Sequence, residues 1–281
     1  MLANFRGNFK GLPQEVLDEI LEYLEDDLRA LKACSLACKE LLRSSRPIIH
    51  RRLWVVSRGI PGSTDEHEIQ TPNLARFHTL SAAAESGLTR YTRELTIKIG
   101  REFKPVDLQP FLSQFQTLAR LTSLTLHNFT PAPFLPIFEQ YFGHLTQQMR
   151  SLEFVFPSGL WDDMACFISR FPNLDDLRFR SFPQRPPFHE EHDPPPIRGS
   201  PALRGTLQVA SVTAGGDGFL GCLTRLPSGL GFRSIEFSRC TGINPNIIIR
   251  ECSSTLEHLT HVTHISKFSP HVRLVRVPDP S

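Results

Sequence analysis

Apolar residues in the first third of the chain recur at the spacing of an α-helix. Between Leu12 and Leu24 they cover roughly half of a helical circumference, wider than the stripe of about 100° that a surface helix needs. Pro13 suits the first helical position, and Glu15 follows in the first turn, where a carboxylate meets the positive end of the helix dipole. We therefore predict a helix whose apolar surface serves its own core and also a second protein.

Two further helices are predicted before residue 50. Leu28, Leu31 and the apolar residues up to Leu42 continue in helical spacing. Ser35 is expected to cap a third short helix, and Pro47 is expected to end it.

The string LPQEVLDEILEYLEDDLRALKACSLACKELLRSS, from Leu12 to Ser45, closely resembles an F-box. One position departs from the family, because many members carry Trp where this chain has Leu41. The matching residues are Leu12, Pro13, Glu15, Val16, Leu17, Ile20, Leu24, Leu28, Leu31, Cys34, Ser35, Leu36, Cys38 and Lys39. An ordinary helical cap on a repeat domain is the alternative interpretation.

The F-box family is a three-helix module whose apolar surface docks on a Skp-type adaptor. The resemblance therefore implies a complex with such an adaptor and, through it, with a cullin. It implies adaptor contacts at the apolar positions Leu12, Pro13, Val16, Leu17, Ile20, Leu21, Leu24, Leu28, Leu31 and Leu36.

A second pattern recurs through the rest of the chain as short segments with an apolar anchor. The anchors are Leu95, Leu124, Leu152, Leu177, Leu207, Ile235 and Leu259, separated by 29, 28, 25, 30, 28 and 24 residues. These separations are near the 20 to 29 or so residues of a leucine-rich repeat. Helix-period segments, such as the one from Leu135 to Leu145, lie between several anchors. The pattern predicts strand and helix units that stack to bury a continuous core.

The array resembles a degenerate leucine-rich-repeat horseshoe. The Asn or Cys that usually follows each strand by two residues is present only once, as Cys240. The predicted fold is an α+β solenoid, with a three-helix F-box at residues 11–54 and a connector or helical cap at 55–91. A degenerate leucine-rich-repeat α/β horseshoe with a short parallel sheet follows at 92–281 and includes a proline-rich loop at 183–201. A doubly wound fold is disfavoured because the chain lacks a glycine-rich phosphate turn.

The composition argues against nucleic acid and anionic membranes as partners. With 31 basic and 29 acidic residues the net charge is +2, so the chain lacks the charge excess of proteins that bind nucleic acid or anionic membranes. The sequence has no apolar run of about 18 residues, and its first ten residues lack the apolar region of a signal peptide. We expect a cytoplasmic or nuclear protein. The six cysteines lack disulfide or zinc spacing and are expected to be reduced.

No residue cluster indicates catalysis, a metal site or a cofactor. His189 and His192 flank two glutamates, but the metalloprotease motif needs histidines at i and i+4 on a helix. His258 and His264 would lie about 20 Å apart if they belong to one strand. The glycine-rich segment 215–218 lacks the Lys and Ser/Thr pair of a phosphate loop. We predict that the chain is not an enzyme.

These patterns predict a substrate-recognition subunit of a Skp-cullin-F-box ubiquitin ligase. Residues beside the anchors are expected on the concave face of the sheet and are candidate contacts for an unknown target protein. They are Lys98, Thr125, His127, Glu153, Arg178, Arg180, Gln208, Glu236 and His258. Their mixed charges favour a folded protein target over a polyanion. The alternative is a leucine-rich-repeat scaffold or interaction protein without a ubiquitin-ligase role.

Overall fold

Three helices precede a long open sheet in this computed structural model. The structure describes residues 12–56, 88–98, 116, 118–181, 203–212, 216–240, 243–263 and 271–276. The predicted proline-rich loop, residues 57–87 of the predicted connector and His264 lie outside the described residues.

The helices are α1 (Gln14–Glu22), α2 (Leu28–Ala37) and α3 (Lys39–Ile49). Asp27 caps α2, since its carboxylate accepts a hydrogen bond from the Ala30 amide at 2.9 Å. Cys38 caps α3 through its sulfur, which accepts from the Leu41 amide at 3.5 Å. The prediction that Ser35 caps the third helix is therefore wrong. Ser35 lies inside α2, where its hydroxyl donates to the Lys32 carbonyl at 2.7 Å.

Pro47 does not end α3, which continues to Ile49. A proline in the last turn removes one amide donor but leaves the following turn able to close. The His50 amide donates to the Arg46 carbonyl at 3.1 Å and completes that turn.

The sheet has nine strands whose spatial order follows the order of the chain. They are β1 (Arg52–Val56), β2 (Glu94–Lys98), β3 (Ser123–His127), β4 (Ser151–Val155), β5 (Asp176–Arg180), β6 (Thr206–Ala210), β7 (Ser234–Ser238), β8 (His258–Thr263) and β9 (His271–Arg276). The first eight are parallel, and β9 is antiparallel to β8. The strands β2 to β8 all lie at the predicted anchors, which confirms the predicted positions of these strands.

Helices connect several of the parallel strands, as parallel pairing requires. They are α4 (Pro131–Phe142), α5 (Trp161–Ile168), α6 (Gly216–Thr224) and α7 (Asn246–Glu251), with 3₁₀ turns at Leu88–Tyr91 and Gly143–Leu145. Each of α4, α5 and α6 contacts the helix that follows it, so the four helices form a layer beside the sheet.

Buried and partly exposed residues alternate along β2 to β7. Because the strands pair anchor to anchor, Leu95, Leu124 and Leu152 form a continuous buried row. A second buried row follows two residues later and includes Phe154 and Phe179. The first, third and fifth residues of each of these strands point to the opposite side of the sheet, which we call the open face.

Phenylalanines fill the space between sheet and helices. The ring centroid of Phe167 on α5 lies 4.8 Å from that of Phe129, 4.7 Å from that of Phe138 and 5.3 Å from that of Phe171. Phe154 on β4 stacks on Phe179 of β5, with centroids 5.1 Å apart. Aromatic pairs of this kind add stability beyond the area they bury, so this cluster is the centre of the core.

A left-handed residue follows each of β3 to β7. These residues are Asn128, Phe156, Ser181, Ser211 and Arg239, with φ between 53° and 58°. The amides of the first four extend the ladder; that of Asn128, for example, donates to the Val155 carbonyl at 2.9 Å. The turn directs the next side chain inward, and Phe129, Val212 and Cys240 are accordingly buried. Where a leucine-rich repeat usually carries Asn or Cys, three of these units thus carry Phe129, Pro157 and Val212.

Gly205 precedes β6 at a close approach between two turns. A Cβ atom at this position would lie 2.3 Å from the Asp175 carbonyl oxygen. That oxygen accepts a hydrogen bond from the Thr206 amide at 3.0 Å, so the turn cannot move aside without losing it.

Ion pairs hold the helical module against the first two strands. Arg52 at the start of β1 lies 2.8 Å from Glu25, 3.2 Å from Asp26 and 3.1 Å from Glu94. Arg51 lies 3.4 Å from Glu25 and 3.2 Å from Glu94. The turn between α1 and α2 is thus tied to the edge of the sheet.

Candidate protein-binding surfaces

The predicted adaptor contacts fall into two groups. Leu17, Leu21 and Leu31 are buried and form the core of the module with Leu41. Their assignment as adaptor contacts needs correction, because side chains that fill the core of their own module are not available to a partner. Leu24 is half-buried against this core, and Leu28 is also half-buried.

The other group is exposed. Leu12, Pro13, Val16 and Ile20 lie on the surface at α1, and Ile20 is 47% exposed. On α2, Leu36 is 87% exposed. Large apolar side chains that cluster on a surface mark interaction sites.

Tyr23 belongs to the same surface, although it is not among the predicted adaptor contacts. Val16, Ile20 and Tyr23 are four and three residues apart, so they lie on one side of the helix. Tyr23 is 84% exposed. We call Leu12, Val16, Ile20 and Tyr23 the apolar patch. The signal for Tyr23 was present in the apolar stripe that begins at Leu12.

The nine predicted target contacts lie on the open face in three rows. The middle row, paired across β3 to β7, is Thr125, Glu153, Arg178, Gln208 and Glu236. Lys98, His127 and Arg180 belong to the row at the carboxyl ends of the strands, which we call the end row. His258 begins β8 in the row at the amino ends. The structure therefore brings together on one surface residues that are up to 160 positions apart in the chain.

Several of these side chains interact with one another. Arg180 lies 2.7 Å from Glu153, whose side chain is only 16% exposed. The Thr125 hydroxyl donates to the same carboxylate at 3.3 Å. The Gln208 amide donates to Glu236 at 3.2 Å. These contacts join polar side chains of neighbouring strands across the open face.

His127 is half-buried between two cations. Burial lowers its pKa to about 4, and Lys98 and Arg180 contribute to that shift by charge repulsion. At neutral pH the imidazole is uncharged.

Two exposed aromatic residues, Trp54 and Phe156, are absent from the predicted contacts. Trp54 on β1 is 45% exposed and pairs with Thr96, which extends the middle row. Its strand was overlooked because Leu53 lies 42 residues before Leu95, outside the repeat spacing. Phe156 is 53% exposed at the turn after β4. No sequence signal marks it, since phenylalanine is unusual in a left-handed conformation.

The buried cysteines have the environment of core residues. Cys166, Cys222, Cys240 and Cys252 are buried without a disulfide partner. Burial raises the pKa of Cys222 and Cys252 to about 11. A protonated thiol is a poor nucleophile, so these four side chains are explained by packing.

The described part of the chain shows no group of three His, Cys, Asp or Glu side chains that could hold a metal ion. Among the described helices, none has the length and apolar character needed to cross a membrane. Comparison with protein-family models, curated proteins and solved structures gave no match. The apolar patch and the open face are therefore the features on which a functional proposal rests.

Proposed function

We propose that this chain is the substrate-recognition subunit of a Skp-cullin-F-box ubiquitin ligase. In this proposal the helical module is an F-box that binds a Skp-type adaptor. The strand and helix units are degenerate leucine-rich repeats, and their open face binds the target. The transfer chemistry belongs to the partner subunits.

The exposure of the apolar patch carries this proposal. Leu12, Val16 and Ile20 are exposed although the module has a core of its own, built from Leu17, Leu21 and other residues. Burying a large aliphatic side chain is worth about 1.5 to 3 kcal/mol, so a partner that covers this patch gains substantial binding free energy. The exposed positions also belong to the string that resembles an F-box.

The open face has the character of a protein-binding surface. It carries both signs of charge, since it includes Glu153 and Glu236 as well as Arg178 and Lys98. A surface of mixed charge selects a partner through complementary charges. An extended polyanion would meet repulsion from the carboxylates, which favours a protein target.

The ion pairs of Arg51 and Arg52 join the helical module, which carries the apolar patch, to the sheet, which carries the open face. They join the module to β1 and β2 through Glu25 and Glu94. Single exposed pairs contribute little, but a network that shares partners restricts motion more effectively. A target on the open face would therefore be presented at a fixed orientation to an adaptor on the module.

The test is co-purification of the full chain with a Skp-type adaptor. We expect the wild-type chain to form a stable complex and Ile20→Asp to weaken it by at least tenfold, because a carboxylate would be buried at the interface. Leu36→Asp tests the exposed end of α2 independently. Glu22→Ala is the matched control, since Glu22 is exposed on α1 outside the apolar patch.

Circular dichroism and thermal unfolding establish that each variant is folded. If the wild-type chain does not bind the adaptor, the ligase assignment fails and the scaffold interpretation takes its place. If Ile20→Asp and Leu36→Asp both bind like wild type, the adaptor site lies elsewhere.

A further inference from the structure

Two side chains of opposite charge in the middle row have polar atoms to spare. Glu236 on β7 accepts a hydrogen bond from the Gln208 amide at 3.2 Å, and it takes part in none of the ion pairs among the described residues. Arg178 on β5 lies 4.0 Å from Asp176, which is too long for a hydrogen bond, and its side chain is 37% exposed. The buried Nε of Arg178 has no hydrogen-bond partner.

The two neighbours of Arg178 in the middle row are held by other groups. Glu153 on β4 is in register with Arg178 but lies 2.7 Å from Arg180. Gln208 on β6 is also in register with Arg178, but its amide donates to Glu236. A guanidinium group has five N–H donors. Because neither neighbour accepts a hydrogen bond from it in the described part of the chain, Arg178 can donate to a carboxylate of another molecule.

The open face of β6 and β7 carries a single charged side chain. Its residues on these two strands are Thr206, Gln208, Ala210, Ser234, Glu236 and Ser238. Glu236 is the one ionisable residue among these six, so no cation on either strand neutralises its carboxylate. A carboxylate in this setting attracts an ammonium or guanidinium group of a partner.

We infer that the middle row from β5 to β7 binds a helical segment of the target protein that presents a carboxylate to Arg178 and a basic side chain to Glu236. This inference rests on the proposed function, since it names the kind of target segment that the open face receives. Between its two charged residues, the segment crosses Gln208.

The separation of the two charged residues favours a helix. Arg178, Gln208 and Glu236 are in register on successive strands. The outer two are therefore about 10 Å apart at roughly 4.8 Å per strand. In a helix that rises about 1.5 Å per residue, residues i and i+7 lie about 10.5 Å apart on one side. Residues of an extended segment that point the same way are about 6.6 or 13 Å apart, which fits less well.

The surrounding charges disfavour a partner that carries one sign of charge. Glu153, Asp176 and Glu236 lie on the same face and would repel a polyanion. A segment with basic residues alone would meet Arg178 and Arg180. The open face therefore selects charges of opposite sign in a defined spacing.

The probe is a fluorescent peptide of alanine and glutamine, held helical by a hydrocarbon staple on the side away from its charges. It carries one glutamate and, seven residues later, one arginine, and we call it the mixed peptide. One comparator places the arginine four residues after the glutamate, one replaces both charged residues by glutamine, and one has glutamate at both positions. Fluorescence polarisation with the full chain gives the affinities.

We expect the mixed peptide to bind the wild-type chain at least fivefold more tightly than the glutamine peptide. It should also bind at least threefold more tightly than the peptide with the shorter spacing, because that peptide can satisfy only one of the two sites at a time. Salt should reduce both preferences, since they arise from charge.

Glu236→Gln and Arg178→Gln each remove one charge and keep a polar side chain. Each should lower the preference for the mixed peptide over the glutamine peptide at least threefold. Glu236→Lys should reverse the choice of charge, so that the peptide with two glutamates binds more tightly than the mixed peptide. The controls are Glu251→Gln and Arg250→Gln, since both residues are exposed on α7 in the helix layer. Circular dichroism establishes that each variant is folded.

Equal binding of the mixed and glutamine peptides to the wild-type chain would overturn the inference. An unchanged preference in both Glu236→Gln and Arg178→Gln would overturn it as well, and so would equal binding of the peptide with the shorter spacing. The measurement contains no adaptor. It can therefore fail while adaptor binding succeeds, and an absence of adaptor binding leaves it unaffected.

Discussion

The helical module and the sheet region differ in how completely they bury their apolar side chains. The module buries a small cluster of Leu17, Leu21, Leu31 and Leu41 and leaves large apolar side chains on its surface. The sheet region buries a core that runs from Leu95 to Leu256 among the described residues, and it presents an open face that is mainly polar. Small domains bury a smaller fraction of their surface than large ones. The difference indicates that the module depends on another part of the chain or on another protein to cover its apolar surface. In the sheet region, each strand and helix unit is covered by the next unit.

The largest effect is expected at the centre of the sheet core. Phe167→Ala should lower the free energy of unfolding by about 3 to 5 kcal/mol, because it removes a ring that contacts several other buried rings. Phe156→Ala is the matched control and should change stability by no more than about 0.5 kcal/mol, since its ring is half exposed. Urea unfolding of both variants measures the contrast. Similar losses would mean that the exposed ring also belongs to the core.

A smaller effect is expected within the module, where two neighbouring residues have opposite environments. Leu21→Ala should cost about 2 to 4 kcal/mol, because Leu21 is 1% exposed. Ile20→Ala should cost about 0.5 kcal/mol or less in the free chain. Thermal unfolding of the chain without adaptor tests this pair. A large loss for Ile20→Ala would show that the apolar patch already packs against another part of this chain.

The smallest effect concerns His127 on the open face. Its pKa is about 4 in the folded chain and near 6.5 when unfolded, so the unfolded state binds more protons between these values. Stability contributed by the neutral imidazole is therefore present above pH 6.5 and is lost as the pH falls toward 4. Because the site is partly exposed to solvent, we expect a loss of only about 1 kcal/mol between pH 7 and pH 5.

His127→Gln is the variant that isolates this contribution. Urea unfolding at both pH values should show a smaller loss for the variant than for wild type, and nuclear magnetic resonance should place the pKa of His127 well below 6.5. In Lys98→Met the pKa of His127 should rise, since one repelling cation is removed. An ordinary pKa in the wild-type chain would mean that the imidazole is more hydrated than the structure shows.

Much of the sheet could be predicted because its signal is local and repeated. Each anchor sets one strand, and alternation along five residues decides which side chains face the core. This is why Leu124 and Leu152 are buried as expected, and why Glu153 lies on the open face. The pairing of Glu153 with Arg180 could not be predicted, because it depends on the register between two strands 25 residues apart in sequence.

The amino-acid sequence by itself determined the positions of β2 to β8 and the existence of a helical unit before them. Only the tertiary structure decided which part of the wide apolar stripe on α1 faces inward, with Leu17 and Leu21 buried and Val16 and Ile20 exposed. It also decided that β1 pairs with β2 and that the residues after β3 to β7 adopt left-handed conformations. Periodicity records the direction of a side chain relative to its own element. Burial depends on what other elements cover that side chain, and this is settled only when the chain folds.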